Sequence, residues 1–219
     1  WHILYNSQLR VDGYHEVALK PDQTMIESAK REIAMAQSIG IDGFFVDIGT
    51  ADQASFADSY LEAAKGTSFL VGYCLDIKPL KGEEGIKLSV DSIEKIIKRV
   101  GSHPNFPKVG NKYVFFSFSG AWRHSPEKIA EVKKRLKAKG IEIYYILHRE
   151  TPEWRANREK MIEGTYVDPY GEICDSFYQF MFSSRAWNDR GEPEGIHRKE
   201  FIALRNALNK FGKKPVATI

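Results

Sequence analysis

The chain has 219 residues, 42% of them hydrophobic and 28% charged, with a formal net charge of +3. This balance is ordinary for a globular domain, and the small, dispersed positive excess argues against a nucleic-acid partner. No apolar run approaches the ~20 residues that a membrane span requires.

Seven short apolar runs, rich in aromatic and β-branched residues, alternate with amphipathic segments. Such runs predict strands that are covered on both faces. The predicted strands are residues 3–5, 43–48, 69–77, 113–118, 141–147, 173–182 and 215–219.

Helical spacing of apolar residues predicts helices between these strands, at residues 24–40, 89–101, 125–140 and 199–212. Thr24 and Glu27 have the spacing of a capping box, Gly40 is placed to end the first helix, and Ser125 with Pro126 opens the third. The remaining segments predict loops at 78–87, 102–112 and 149–171. The last of these is long enough to carry function.

Strand–helix alternation predicts a parallel α/β sheet, either an open doubly wound sheet or a closed barrel. No Gly-rich phosphate motif follows the first strand, which argues against the open sheet. Seven units of about 31 residues, extended to eight, match the ~250 residues of a (β/α)8 TIM barrel. We therefore predict one barrel domain over residues 1–219 without its eighth strand. Because both termini fall inside apolar segments, we expect the domain to be incomplete at both ends.

Function in such a barrel resides at the carboxyl ends of the strands. The polar and aromatic residues predicted there are Tyr5, Asn6, Asp47, Asp76, Trp122, His148 and Gln179. Carboxylates and amides bind sugar hydroxyls, and aromatic rings stack on sugar faces. Because glycosidic cleavage requires two carboxyl groups, Asp47 and Asp76 are the candidate catalytic residues, and the other five are candidates for substrate binding.

Structural alternatives exist for several of these residues. Asp47 has the spacing to cap the following turn through Thr50, His148 fits a buried core histidine or a helix cap, and Trp122 fits simple packing. By contrast, Asp42 and Asp175 begin their strands, so we predict structural roles for them at the opposite end of the barrel.

Residues 187–192 (WNDRGE) place Asp189 and Glu192 three positions apart in a Gly- and Pro-rich segment. Such segments are usually solvated loops, so these carboxylates are minor catalytic candidates. The cysteines, Cys74 and Cys174, lie inside apolar runs without ligands at metal spacing, which predicts buried thiols and no metal site.

Several motifs resemble the α-1,3-glucanases of glycoside hydrolase family 71. They are KREIAMAQSIGIDGFFVDIG at residues 30–49, SHPNF at 102–106, GNKYVFFSFSG at 110–120, DSFY at 175–178 and KKPVA at 213–217. The GIDGF and HP motifs are shared with related barrel glycosidases of the endo-α-mannosidase type.

The resemblance implies an extracellular or periplasmic, inverting, endo-acting hydrolase of α-1,3-glucan, with no cofactor. It also implies that the principal carboxylates follow Ile219. Two alternatives remain open: a non-catalytic carbohydrate-binding barrel, and a metal-dependent hydrolase. The dispersed histidines disfavour the metal-dependent hydrolase.

Overall fold

The computed structural model describes residues 24–49, 51–77, 82–118, 120–149, 151–178 and 193–216, in which helices and strands alternate. The strands are β1 (Gly43–Ile48), β2 (Leu70–Leu75), β3 (Lys108–Val109), β4 (Lys112–Ser117), β5 (Ile143–His148) and β6 (Ser176–Tyr178). The helices are α1 (Met25–Ser38), α2 (Ser55–Ala64, after a 3₁₀ turn at Ala51–Ala54), α3 (Gly82–Val100), α4 (Gly120–Arg123), α5 (Pro126–Ala138), α6 (Pro152–Ile162) and α7 (Pro193–Asn209). Among these described helices, none has the length and apolar character to cross a membrane.

Five strands pair in parallel in the order β1-β2-β4-β5-β6, so each lies beside the next along the chain. The register aligns Phe45 with Gly72, Cys74 with Phe116, and Phe116 with Ile146. A doubly wound sheet reverses direction partway across, whereas this sheet advances in one direction. That winding is the one found in a (β/α)8 barrel, so the predicted fold class is confirmed.

Side chains alternate between the two faces of the sheet, and the helices cover the outer face. There, Phe44, Val46 and Ile48 of β1 are buried in a core continuous with residues of α1 and α2. A smaller cluster, the interior cluster, occupies the opposite face; its buried members are Cys74, Val114, Phe116, Ile146 and Tyr178, with Phe45 and Phe118 packed against them. Four neighbouring strands supply the buried members, as in the packed interior of a barrel.

Gly72 creates space inside the barrel for an aromatic ring. A Cβ atom at this position would overlap the ring of Phe45, the residue that Gly72 pairs with on β1. The absence of a side chain on β2 therefore allows the Phe45 ring to reach Phe116 on β4, with ring centroids 4.1 Å apart.

The predicted caps set the ends of two helices. Thr24 accepts a hydrogen bond from the Glu27 amide, and the Glu27 side chain accepts one from the Thr24 amide, which completes the capping box of α1. Gly40 then reverses the chain with φ of +82°, a conformation that a glycine adopts without steric cost. Ser125 caps α5, with Pro126 in its first turn.

Three loop predictions are wrong in part. The segment 149–171 contains α6, which buries only Trp154 and Met161 and so has weak hydrophobic periodicity. The segment 78–87 contains the start of α3, where two glycines and two glutamates obscured the helix. Residues 102–112 include β3, which pairs antiparallel with β4 through the turn at Gly110, so not every strand of the sheet is parallel.

The outermost predicted strands are described only in part. Residues 3–5 and 217–219 lie outside the described ranges. The Val216 amide donates to the Phe177 carbonyl at 2.9 Å, so the chain after α7 returns beside β6, where the next strand of a barrel belongs. Helix α7 begins at Pro193, six residues before the predicted start.

Candidate functional site

Five side chains of the barrel interior lie at the carboxyl ends of the strands. Asp47, Asp76, Phe118 and His148 each follow a residue of the interior cluster by two positions, and Tyr178 belongs to the cluster itself. Backbone hydrogen bonds continue the ladder through Asp76 and Phe118. Parallel strands end at a common edge of the sheet, and their side chains alternate between its faces. These five residues therefore lie on the interior face at the same edge, which we call the carboxyl edge.

Both carboxylates at this edge raise the pKa of the same thiol, that of Cys74. Burial raises the pKa of Cys74 to about 12; the charge of Asp47 is the next cause, Asp76 adds to the rise, and the contact with the Tyr178 hydroxyl, 3.7 Å away, opposes it. The thiol is therefore neutral at ordinary pH and is not a nucleophile. The alternation of side chains along β1 and β2 directs both carboxylates to the barrel interior, where Cys74 also lies.

Aromatic side chains form a continuous wall beside the carboxylates. His148 stacks on Phe118, with centroids 5.9 Å apart and planes 14° from parallel, and lies 5.3 Å from the Tyr178 ring. Tyr178 contacts Phe116 edge to face at 5.0 Å. The Tyr178 hydroxyl donates to the Ser117 carbonyl at 3.1 Å, and burial raises the pKa of this phenol. With Phe45, these rings are called the aromatic wall.

The sequence prediction overlooked Phe118 and Tyr178. Strand β6 was expected to end later, which drew attention to Gln179 instead of Tyr178. The alternation of side chains could have predicted both residues, since each lies an even number of positions from another interior residue of its strand.

Several predicted site residues have no described side chain. Trp122 lies in the short helix α4 that follows β4, but its side chain is outside the described part of the structure. The other predicted residues outside the described ranges are Tyr5, Asn6, Gln179, Asp189 and Glu192. Their proposed roles stay predictions.

A buried ion pair lies on the helix side of the same edge. The Arg149 side chain is fully buried, and its Nε donates to Asp168 Oδ2 at 2.7 Å, while Nη1 donates to Thr151 Oγ1 at 2.9 Å. The guanidinium carbon lies 4.7 Å from the ring centroid of Tyr170 and 5.4 Å from that of Trp154. We call these five residues the Arg149 clamp.

Burial sets the direction of the Asp168 pKa. Burial raises the pKa of the Asp168 carboxyl above its ordinary value, and the charge of Arg149 and the amide of Tyr170 act against that rise. The Tyr170 hydroxyl in turn donates to the His124 carbonyl at 3.0 Å. The clamp thus links the segments after β5 and α6 to the end of α4.

The opposite, amino edge carries Asp42 and Asp175. Asp175 precedes β6 and accepts hydrogen bonds from Lys133 at 2.7 Å and from the Tyr145 amide at 3.0 Å, with Lys112 at 3.4 Å. Although burial opposes it, these donors hold the pKa of Asp175 below its ordinary value. Asp42 precedes β1, and its carbonyl accepts from the Leu70 amide. The predicted separation of these two aspartates from Asp47 and Asp76 is therefore confirmed.

A concave region lies on the outer face of the sheet, between α3 and α5. Its lining combines apolar side chains with the polar side chains of Ser89, His124, Lys128, Lys133 and Tyr145. Burial lowers the pKa of Lys128 there. The lining includes no carboxylate, whereas two carboxylates lie at the carboxyl edge, so we place the candidate site there. In the described ranges, no three His, Cys, Asp or Glu side chains converge as a metal site would require.

One-way winding, outer helices and polar side chains at the carboxyl edge define the class of (β/α)8-barrel proteins. Solved structures of this kind include the GH99 endo-α-mannosidase from Bacteroides thetaiotaomicron, with a TM-score of 0.63 and 15% identity over 89% of this chain. The same enzyme in complex with bis-tris propane has a TM-score of 0.64 and 14% identity over 89% of the chain. A glycoside hydrolase-like protein has a TM-score of 0.58 and 12% identity over 90%.

The chain spans only part of these structures, 53% and 56% of the two endo-α-mannosidase chains and 64% of the third. At such low identity, the likeness establishes the fold and leaves the activity to be argued from the site. The sequence matches no protein-family model, and the search of curated proteins also gives no match.

Proposed function

We propose that the protein is a glycoside hydrolase that binds an α-linked polysaccharide or oligosaccharide at the carboxyl edge of its barrel. The observation that carries this proposal is the placement of Asp47 and Asp76 at the same strand ends as the aromatic wall, which includes His148. Charged and imidazole groups are partners for sugar hydroxyls, and the rings are platforms for sugar faces. Active sites of (β/α)8 barrels lie at this edge.

Two α-linked substrates are candidates. The sequence motifs resemble α-1,3-glucanases, which favours α-1,3-glucan. Two of the similar solved structures are named endo-α-mannosidase, which favours an α-mannan. We propose α-1,3-glucan as the substrate and α-mannan as the alternative, both cleaved within the chain.

The spacing of Asp47 and Asp76 is compatible with a sugar between them. Asp47 pairs with Cys74, two residues before Asp76. Strand spacing and rise therefore place the two Cα atoms about 8 Å apart. Side chains on Cα atoms at this separation can bring their carboxyl groups within the roughly 5 to 9.5 Å found between the catalytic carboxyl groups of glycosidases. We assign both residues to contact with the substrate, while the family resemblance places the main acid and base after Ile219.

The test compares two carboxylates at the carboxyl edge with one at the amino edge. Asp47→Asn and Asp76→Asn are assayed with α-1,3-glucan and α-mannan, with β-1,4-glucan as a negative substrate and mass spectrometry of the products. We expect oligosaccharides from one α-linked polymer, and kcat/KM lower by about 10- to 100-fold in each variant, the scale of a lost hydrogen bond between a charged group and the substrate. Asp42→Asn, at the amino edge of β1, is the matched control and should behave as the unmodified protein.

Two results would count against the proposal. Sugar binding without product release would indicate a non-catalytic carbohydrate-binding barrel. Full activity of the Asp47→Asn, Asp76→Asn double variant would remove both residues from the site and would direct attention to Asp189 and Glu192.

A further inference from the structure

We propose that Arg149 is a positioning residue: it fixes the end of β5 from the helix side and thereby holds His148 in the aromatic wall. This inference rests on the proposed function of the carboxyl edge, because it gives His148 a defined orientation toward a bound sugar. Arg149 itself does not face the barrel interior, since consecutive strand residues point to opposite faces.

The geometry of the clamp restrains Arg149 from several directions. Asp168 and Thr151 hold different nitrogens of the guanidinium, and the rings of Tyr170 and Trp154 lie near its carbon. The Arg149 amide also donates to the Tyr178 carbonyl at 2.9 Å. The residue after His148 is therefore attached by both its side chain and its backbone.

The restraint reaches His148 through one peptide bond and through Tyr178. His148 is only 6% exposed, and it stacks on Phe118 while its other neighbour in the aromatic wall is Tyr178. Since the Arg149 amide binds the carbonyl of that same tyrosine, one backbone hydrogen bond joins the two strand ends whose side chains meet in the wall. A shift of Arg149 would thus change the contact between His148 and Tyr178.

The chemistry of the Arg149 clamp is better suited to orienting its neighbours than to stabilising the fold. A buried ion pair is often no more stabilising than apolar residues of the same volume, whereas it fixes geometry through directed hydrogen bonds. The planar guanidinium fork supplies several donors in a rigid arrangement, which the single ammonium of lysine does not reproduce. Arg149→Lys keeps the charge and removes the fork, so it separates positioning from electrostatics.

The experiment records NMR spectra of the protein with the His148 ring signals assigned by their loss in His148→Asn. Arg149→Lys and the charge-free pair Arg149→Met with Asp168→Leu are compared with Asp175→Asn, which disrupts an ion pair at the amino edge. We expect both clamp variants to shift the His148 ring signals and weaken the nuclear Overhauser contacts with Phe118. The Asp175→Asn control should leave them in place. With α-1,3-glucan oligosaccharides and α-mannan oligosaccharides as probes, kcat/KM should fall up to about 100-fold in the clamp variants, the cost of a misplacement near 1 Å.

Two outcomes separate the possible failures. Unchanged His148 signals in a folded Arg149→Lys, or in the charge-free pair if the lysine variant does not fold, would overturn the positioning role, whatever the activity. Altered His148 signals without binding or cleavage of either probe would support the clamp and count against the proposed function.

Discussion

The two edges of the sheet use charge in opposite ways. At the amino edge, Asp175 is surrounded by donors from three segments, and the pKa of its carboxyl lies below the ordinary value. At the carboxyl edge, Asp168 lies in a fully buried pair with Arg149, and burial raises the pKa of its carboxyl. The surroundings of Asp175 favour its charged form, whereas burial disfavours the charged form of Asp168 and Arg149 offsets only part of that cost.

This difference is informative because the two edges have different tasks. A charge with a purely structural role needs only enough hydrogen-bond partners. Lys133 supplies one to Asp175, and it also donates to the Ile173 carbonyl. Presenting a site requires that side chains keep their orientation, for which a rigid, costly pair beside His148 is suited. Substitutions at the two edges should therefore differ in the size and pH dependence of their effects.

Removal of one member of the Arg149 clamp should be the most damaging change. Asp168→Leu leaves a buried guanidinium without its carboxylate, and we expect the free energy of unfolding to fall by about 3 to 5 kcal/mol. Adding Arg149→Met should restore most of that loss, since the buried charge is then gone. Urea unfolding of the two variants measures both values, and equal instability of the single and double variants would contradict this account of the clamp.

A substitution at the amino edge should lower the free energy of unfolding by less, and the size of that loss should depend on pH. Asp175→Asn is expected to lower the free energy of unfolding by about 1 to 3 kcal/mol at pH 7, since its donors lose a charged acceptor. A lowered folded pKa means that the stability from Asp175 is present above the ordinary value of 3.8 and lost as pH falls through the folded pKa. The variant should therefore approach the unmodified protein only as the pH falls below 3.8 in urea titrations.

The contribution of Asp168 to the free energy of unfolding should depend on pH in the opposite direction. Because its folded pKa is raised, its protonation contributes stability that is fully present below about 3.8 and disappears as pH rises through the folded pKa. A pH series that gave Asp168 and Asp175 the same slope would remove the contrast between the edges.

Tyr178→Phe should have a smaller effect. The substitution removes the hydrogen bond to the Ser117 carbonyl and keeps the ring in the aromatic wall. We expect a loss of about 0.5 to 1.5 kcal/mol in the free energy of unfolding, with the His148 ring signals nearly unchanged. A large displacement of those signals would show that the hydroxyl, and not the ring, organises the wall.

The smallest effect is expected for Asp42→Asn. The Asp42 side chain is exposed at the amino edge, and the hydrogen bond to Leu70 uses its backbone carbonyl, which the substitution preserves. The free energy of unfolding should change by no more than about 0.5 kcal/mol. A larger change, measured by urea unfolding, would show that the amino edge is less tolerant than this comparison implies.

Sequence patterns predicted the elements whose burial is periodic. Strands β1, β2, β4 and β5 stand within about two residues of their predicted bounds, and the alternation along them placed Asp47, Asp76 and His148 at one edge. The Arg149–Asp168 pair escaped prediction because its partners are 19 residues apart and neither lies in a motif. Helix α6 escaped for a related reason, since its position depends on the burial of Trp154 in a tertiary core and not on a repeating apolar stripe.

The two cysteines are buried on opposite faces of the sheet. Cys74 belongs to the interior cluster and Cys174 to the core beneath the helices, and burial raises the pKa of each thiol to about 12. Neither is in a disulfide. Since only an exposed thiolate reacts readily, each thiol should react with an alkylating reagent only when its own layer opens. The relative labelling rates would therefore report whether the interior loosens before the outer shell.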